Sequence, residues 1–320
     1  MAMRHACPLV AAWGLLWCAG ASDAATIAGQ MLSLDSRDQW LLSADPSNEG
    51  QQQQWWSGPR PDAQRTRVPG TMQETLGEYH GVAWYWRNVS IPRNPHADGR
   101  YILRFWSVDY AMDVWVNGRL VGHHECVDTM VEFDITEAVR PDVENLVAVR
   151  VVNPSNTPID GLLIRECPGR NRVDPWSPGV CYNNGGLIDS VELLIAPAVR
   201  VESLYVRPDW NSGEIAADVN VRNATDQSAA GSVALSVALA AGGELIDLTT
   251  TASEFAPGDT LVKARVRVRE FRLWDVADPV LYRVAARASC DGGDSIDEKS
   301  VKCGFRDFCF ADGYFRLNGK

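Results

Sequence analysis

Eight cysteines, an adjacent pair of histidines and 41 acidic side chains are the groups in this 320-residue sequence whose types could do chemistry. Thiols can form disulfides or hold a metal, and carboxylates can move protons or accept hydrogen bonds from hydroxyls. The spacings narrow these options. There is no C-x-x-C, and His123 and His124, if on a strand, face opposite ways, so no metal site and no cofactor are expected. The acids outnumber the 30 Lys and Arg, and the formal net charge of −11 repels phosphate backbones, which argues against a nucleic-acid partner. Most of so many carboxylates must be solvated, and no catalytic residue is nominated among them.

The compartment decides how the cysteines are read. A short basic lead ending at Arg4 precedes a nearly all-apolar stretch from Ala6 to Gly20, the length of a signal-peptide core and too short to span a bilayer comfortably. Ser22-Asp23-Ala24 fits the small-x-small cleavage pattern, with Ala19-Gly20-Ala21 as the second choice. A lipid anchor at Cys18 is disfavoured by the bulky Trp17 before it. Residues 1–24 are therefore expected to be a secretion signal, giving a secreted or periplasmic protein, and no other stretch is apolar enough to suggest a membrane partner. Cys7 and Cys18 leave with the signal. Cys126, Cys167, Cys181, Cys290, Cys303 and Cys309 remain, with 15 possible connectivities in an oxidising compartment. A hairpin turn at Asp291-Gly292-Gly293-Asp294 would set Cys290 opposite about Ser295 and leave Cys303 roughly 26 Å further on, so those two should not pair. Cys167 and Cys181 flank one loop and are the expected bridge.

These groups must be positioned by strands. From Trp84 onward the polarity pattern has period two: Ile215, Ala217, Val219 and Val221 fall on one face, as do Val233, Leu235, Val237 and Leu239. Lys263, Arg265, Arg267 and Arg269 form the wet face of another strand. Further strands are expected over Arg100–Val108, Met112–Val116, Asn145–Val152 and Ser190–Ala196, separated by turn signals such as Asn117-Gly118, Asn153-Pro154 and Gly242-Gly243. No segment carries an amphipathic helix longer than about three turns. The fold class is all-β, two sandwiches, because many short strands have few other ways to bury one face each. Eight of the ten tryptophans after the signal lie between Trp40 and Trp176, which places a boundary near Pro197-Ala198. Trp84 and Trp86 share a strand face, as do Asp113 and Trp115, and a sandwich core explains them. Gln51–Gln54 is a brief polar tract in a region that the pattern leaves unassigned.

Several segments together resemble glycoside hydrolase family 2, which includes β-galactosidases, β-glucuronidases and β-mannosidases. Val68-Pro69-Gly70-Thr71 and Gly81-Val82-Ala83-Trp84-Tyr85-Trp86-Arg87 are similar to the start of its sugar-binding jelly roll. Leu103 to Asp109, then Asp113-Val114-Trp115-Val116-Asn117-Gly118, resemble its central hairpin, and Phe133-Asp134-Ile135-Thr136 and Glu144 to Val151 follow in the family's order. Gly185-Gly186-Leu187-Ile188-Asp189 looks like the loop into the last strand. Leu273-Trp274-Asp275 with Asp278-Pro279 resembles the end of its immunoglobulin-like domain, and Gly304-Phe305-Arg306 with Phe315-Arg316-Leu317-Asn318-Gly319-Lys320 resembles the lead-in to its catalytic barrel.

The resemblance implies an all-β fold of a jelly-roll sugar-binding domain over 25–197, an immunoglobulin-like sandwich over 198–302, and a barrel lead-in over 303–320. It also implies that the catalytic glutamates lie in a (β/α)₈ barrel of about 250 residues, for which the sixteen residues after Gly304 leave no room. The family's jelly roll often lends a loop side chain to the sugar pocket. The matching loop here runs from Arg170 to Asn184; Asp174 could accept hydrogen bonds from sugar hydroxyls and Trp176 could stack on a pyranose face. His80, before Gly81, lies in another loop that could face the pocket. Where the family commonly carries Arg after its Gly-Ile-aromatic step, this chain has Asp189. The first reading is thus the non-catalytic N-terminal portion of an exported β-glycosidase, with a β-linked glycoside and a barrel in cis as partners. The alternative is a free-standing secreted carbohydrate-binding module; a structural pair of adhesion-like sandwiches fits the composition but ignores the motif order. Asn88 and Asn223 head N-x-S/T sequons, which matter only in a glycosylating host.

Overall fold

The computed structural model describes residues 29–167, 183–291 and 296–320. The signal segment, Asp174, Trp176 and the Cys167–Cys181 pairing therefore lie outside the described residues.

Nineteen strands were found among the described residues, and they form an all-β structure. The first sandwich uses β1 (Gln30–Ser33), β2 (Ser36–Asp45), β3 (Gln64–Val68), β4 (Gly81–Ile91), β5 (Arg100–Phe105), β6 (Ala111–Val116), β7 (Arg119–Glu125), β8 (Val131–Asp134), β9 (Val143–Asn153) and β10 (Val191–Ala196). They pair antiparallel in a six-stranded sheet, β3-β2-β4-β9-β6-β7, and a four-stranded sheet, β1-β10-β5-β8. Alternate residues of both sheets meet in one core, with Trp40, Leu42, Tyr85, Val114 and Val149 on one side and Leu103, Phe105 and Leu193 on the other. Each such side chain stabilises the fold by about 1.5–3 kcal/mol when fully buried. The β6–β7 turn is Asn117-Gly118, both at positive φ as its residue types require, and Asn117 Oδ1 also accepts from Leu146 N–H at 3.0 Å.

The chain passes into the second sandwich between Ala196 and Val199. There β11 (Val199–Pro208), β12 (Glu214–Asn223) and β15 (Gly258–Arg267) face β14 (Leu245–Phe255), β13 (Ala229–Leu239), β16 (Tyr282–Cys290) and β17 (Ile296–Cys303). The expected faces are the buried ones except at Leu239: Ile215, Ala217, Val219, Val221, Val233, Leu235 and Val237 share this core. A register shift between Val237 and Ala238 buries Ala238 and leaves Leu239 exposed, and Lys263, Arg265 and Arg267 are exposed. The register sets Cys303 opposite Tyr282 and Cys290 opposite Gly231, at the two ends of β16, so Cys290 and Cys303 are apart as the turn arithmetic requires. Asn223 is buried, and its Nδ2 donates to Gln227 and Phe255 carbonyls, so this sequon is closed to modification in the folded chain. A final hairpin, β18 (Phe308–Ala311) and β19 (Tyr314–Leu317), forms its own two-stranded sheet.

One expectation needs correction. Trp84 and Trp86 do share a face, but it is the outer face of the six-stranded sheet and not the space between the sheets. There they join Trp115 in a second apolar layer, with Trp55, Trp56 and Ile159 packed against it. The Trp84 ring lies 5.1 Å from that of Trp115 and 6.3 Å from that of Trp86. The unassigned Gln51–Gln54 tract is part of the cover: it leads into a turn at Trp55–Ser57, and Trp86 Nε1 donates to Trp55 O at 2.7 Å. Asp45, itself buried, holds this cover by accepting from Glu49 N–H, Gly50 N–H and Trp84 Nε1 at 2.9, 2.8 and 3.0 Å. Gly50 has no room for a side chain, since a Cβ would fall 2.3 Å from Trp84 Nε1.

A polar cluster borders this layer. The buried Arg150 pairs with Asp113 at 3.0 Å and with Asp160, and Asp113 also contacts His123 Nδ1 at 2.7 Å, whose Nε2 is 3.2 Å from Glu125. Burial opposes charge on His123, but the hydrogen bonds and charges of Asp113 and Glu125 outweigh it, so its pKa is raised above the ordinary 6.5. A raised folded-state pKa means that this contribution to stability is fully present below 6.5 and is lost as pH climbs through the raised value. The ring is half exposed, so solvent screens the effect on stability. The expected observation is a His123 NMR titration midpoint above 6.5 that falls in Asp113→Asn; an unmoved midpoint in that variant contradicts the assignment.

Candidate functional site

One pole of the first sandwich gathers five connections. The pairs Asp45–Val82, Gly81–Asn153, Ala111–Val152 and Ala111–Glu125 bring the ends of β2, β4, β9, β6 and β7 together, and Phe105–Val191 and Phe105–Val131 add β5, β10 and β8. The β9–β10 connection leaves this pole after Asn153 and re-enters the sheet there at Val191. Asp109 and Gly186 exchange two backbone bonds, of 2.9 and 2.7 Å, tying the β5–β6 connection to the chain that leaves the loop, and the Asp109–Tyr110 peptide is cis.

His80 is at this pole, in the connection between a short helix, α1 (Gln73–Leu76), and β4. Its Nδ1 lies 2.8 Å from Asn153 Oδ1, which also accepts from Gln73 Nε2 at 3.2 Å. This acceptor puts the proton on Nδ1 and leaves Nε2 as the ring's remaining polar atom. Asn153 Nδ2 donates to Asn183 Oδ1 at 3.0 Å, and Asn183 Nδ2 donates to Pro154 O at 2.7 Å. Gln73 closes the circuit, donating to Tyr79 O at 2.7 Å and accepting from Gly185 N–H at 3.1 Å. Asn153 and Asn183 are fully buried, so these bonds replace water for amides that would otherwise be orphaned. Gly185 permits the close approach, because a Cβ there would fall 2.5 Å from that of Asn153. Gly186, at φ 130°, takes a backbone conformation that favours glycine. Burial holds the Tyr79 phenol neutral, with its pKa pushed up to about 12, and its hydroxyl donates to Val82 O.

Of the three residues expected at a sugar site, His80 is therefore brought to the loop's base, while Asp174 and Trp176 fall outside the described residues. Sequence reasoning missed Gln73, Asn153 and Asn183. Asn153 had a signal, as the first residue of an Asn-Pro turn pair, and Asn183 adjoins the tyrosine of the loop, but nothing in the spacing joins residues eighty positions apart. Amides and an imidazole exchange hydrogen bonds with hydroxyls and fix a loop, and no metal-holding group of His, Cys, Asp and Glu is present among the described residues.

Two family models match the chain. One, described as the sugar binding domain of glycosyl hydrolases family 2, covers residues 74–197, and the other, described as glycosyl hydrolases family 2, covers 199–306. The chain belongs to this family. It is similar to a β-galactosidase of Priestia megaterium, 25% identical over 249 residues that make up 76% of this chain and 22% of the relative. Among solved structures it is similar to a putative β-galactosidase from Bacteroides fragilis, with TM-score 0.72, 22% identity, and coverage of 92% of this chain and 44% of that one. Bacteroides uniformis β-glucuronidase 2 gives TM-score 0.73 and 21% identity, covering 91% of this chain and 34% of that one. The structural likenesses show the fold. The chain spans about a quarter of the length of the curated relatives it matches. In this family's terms, the two sandwiches are its sugar-binding domain and an immunoglobulin-like domain.

Proposed function

We propose that these residues form the non-catalytic N-terminal portion of an exported family 2 glycoside hydrolase, bracing a catalytic barrel and lending the pole of the jelly roll to its sugar site. The division is the one read from the sequence: a signal over 1–24, the jelly roll to 197, the immunoglobulin-like sandwich to 302 and the lead-in beyond. The observation that carries the reading is the β18–β19 hairpin. Phe308 and Phe310 of β18 and Phe315 of β19 fall on one face by register and are 60–73% exposed, with Phe308 and Phe315 stacked 5.7 Å apart. A two-stranded hairpin is marginal alone, and an apolar face of this kind calls for a partner. The barrel that follows this lead-in in the family supplies one. The substrate class is a β-linked glycoside, with Asp174 accepting from sugar hydroxyls, Trp176 stacking on the ring and His80 offering Nε2 at the loop's base.

The test joins residues 25–320 to a family barrel and assays aryl β-galactoside, β-glucuronide and β-mannoside. Residues 25–320 alone are expected to hydrolyse none of them, and turnover above the buffer blank contradicts the division of labour. In the joined enzyme, Asp174→Asn and Trp176→Ala are each expected to raise KM by about tenfold or more, since a hydrogen bond to a charged group or one stacked ring contributes about 1.5–3 kcal/mol. Unchanged KM in both variants removes the loop from the sugar site.

A further inference from the structure

Beside the terminal hairpin, three exposed cations gather. Arg283 of β16 stands directly opposite Lys302 of β17 in the register, and Arg306 follows on the segment that leads from β17 into β18. The ion pairs of the second sandwich among the described residues use Arg200, Arg207, Arg222, Arg265, Arg272 and Arg316, and none of these three. Like charges directly opposite on neighbouring strands are destabilising. A cation can guard an edge strand against pairing, which accounts for Lys302 on the edge strand β17. It does not account for Arg283, because β16 lies between β13 and β17 and has no edge to guard. In a chain of net charge −11, three such cations call for an anionic partner.

The corner also has room for one. Lys302 and Arg306 line a hollow of about 460 Å³ whose other walls are Pro208, Trp274, Leu281, Cys303 and Gly304, so no carboxylate borders it. The Arg306 guanidinium lies over the Trp274 ring, 5.4 Å from its centroid. A guanidinium resting on an aromatic face in this way keeps its planar fork of N–H groups for a carboxylate. The hollow and the aromatic hairpin belong to one corner. Trp274 N–H donates to Phe305 O at 2.7 Å, and Asn318, at the end of the hairpin, donates from Nδ2 to Trp274 O at 3.0 Å. A partner that covers Phe308, Phe310 and Phe315 is therefore within reach of Lys302 and Arg306.

We infer that this corner is a cationic dock for an acidic surface of the barrel, whose Asp or Glu side chains enter the hollow and pair with Lys302 and Arg306. The inference rests on the reading that a barrel follows the hairpin, and it names the chemistry by which that barrel is held. The experiment uses the protein encoded by the full gene, treated with a carbodiimide that joins an amine to a touching carboxylate as an amide. The four lysines here are Lys263, Lys299, Lys302 and Lys320, so the products are few and mass spectrometry can assign them. The expected result is Lys302 joined, within one molecule, to an Asp or Glu beyond residue 320. Lys302→Glu combined with Arg306→Gln is expected to lower the Tm of the full-length protein by about 2 °C or more at low salt. That loss should vanish in about 1 M salt, and the same pair of substitutions in residues 25–320 should leave Tm unchanged. Lys302 left unreacted, joined only to carboxylates of residues 1–320 or joined to a second molecule overturns the inference, as does an equal Tm change in both chains or none in either. If these fail in a full-length protein that hydrolyses a β-glycoside, the dock is lost and the reading of the barrel stands; a stop codon directly after Lys320 removes both.

Discussion

Trp84→Ala is expected to lower the unfolding free energy by about 3–5 kcal/mol, the cost of emptying a large buried aromatic site. Trp84 has no exposed surface, although it lies on the side of the sheet that faces away from the other sheet. The cost arises because the segment after Asp45 covers it, making the outer layer as much a core as the space between the sheets. The variant also removes one of the three donors to the buried Asp45 carboxylate. Trp84→Phe separates the two contributions by keeping most of the packing and deleting the indole N–H, with an expected loss of about 1.5–3 kcal/mol for a hydrogen bond to a charged group. Urea unfolding followed by far-UV circular dichroism checks both. A loss of less than about 1 kcal/mol for Trp84→Ala would show that the cover is peripheral and that the sandwich core alone holds the domain.

The second large effect is at the pole. Asn153→Leu keeps the number and branching of the side-chain heavy atoms and removes the amide that connects His80, Gln73 and Asn183. His80 and Gln73 are half-buried and can turn to water, but Asn183 is buried and cannot. The expected destabilisation is about 2–3 kcal/mol, mostly the cost of one buried amide left short of a partner. Hydrogen exchange separates this from a general loosening. The Gly185 and Gly186 amides, bonded to Gln73 and Asp109, are expected to lose protection while those of Val147 and Val149 in the centre of β9 keep it. Equal loss at both places would mean that the network is not a local brace for the loop.

The strands whose one face is buried were legible from alternation alone. Glu214–Asn223 buries the residues that period two selects, and Ala229–Leu239 does so as far as Val237, where a register shift leaves Ala238 buried and Leu239 exposed. Leu245–Phe255 was not legible: it is an edge strand with Leu245, Ile246 and Leu248 exposed and a run of threonines, so neither face reads as core. Trp84 and Trp86 were assigned to one face correctly and to the wrong side of the sheet, since a period-two pattern names a face without saying what covers it. The cover itself, from Asp45 to Ala63, has no periodicity; Asp45 accepts from two local backbone N–H groups there, and packing on the tryptophans fixes the rest. At the pole, the motif beside His80 marked the connection in which that residue lies, and the structure places its ring against Asn153. Gln73, Asn153 and Asn183 were not, because a hydrogen-bond circuit among uncharged side chains leaves no spacing signature.

Reading the gene past the codon for Lys320 tests the assignment of these sandwiches to a glycosidase most directly. An open frame of about 250 codons or more, with alternating strand and helix patterns and two glutamates whose replacement abolishes β-glycoside hydrolysis by the encoded protein, is the expected result. A stop codon directly after Lys320 in the native transcript, or a long product that cleaves no β-glycoside, would contradict it.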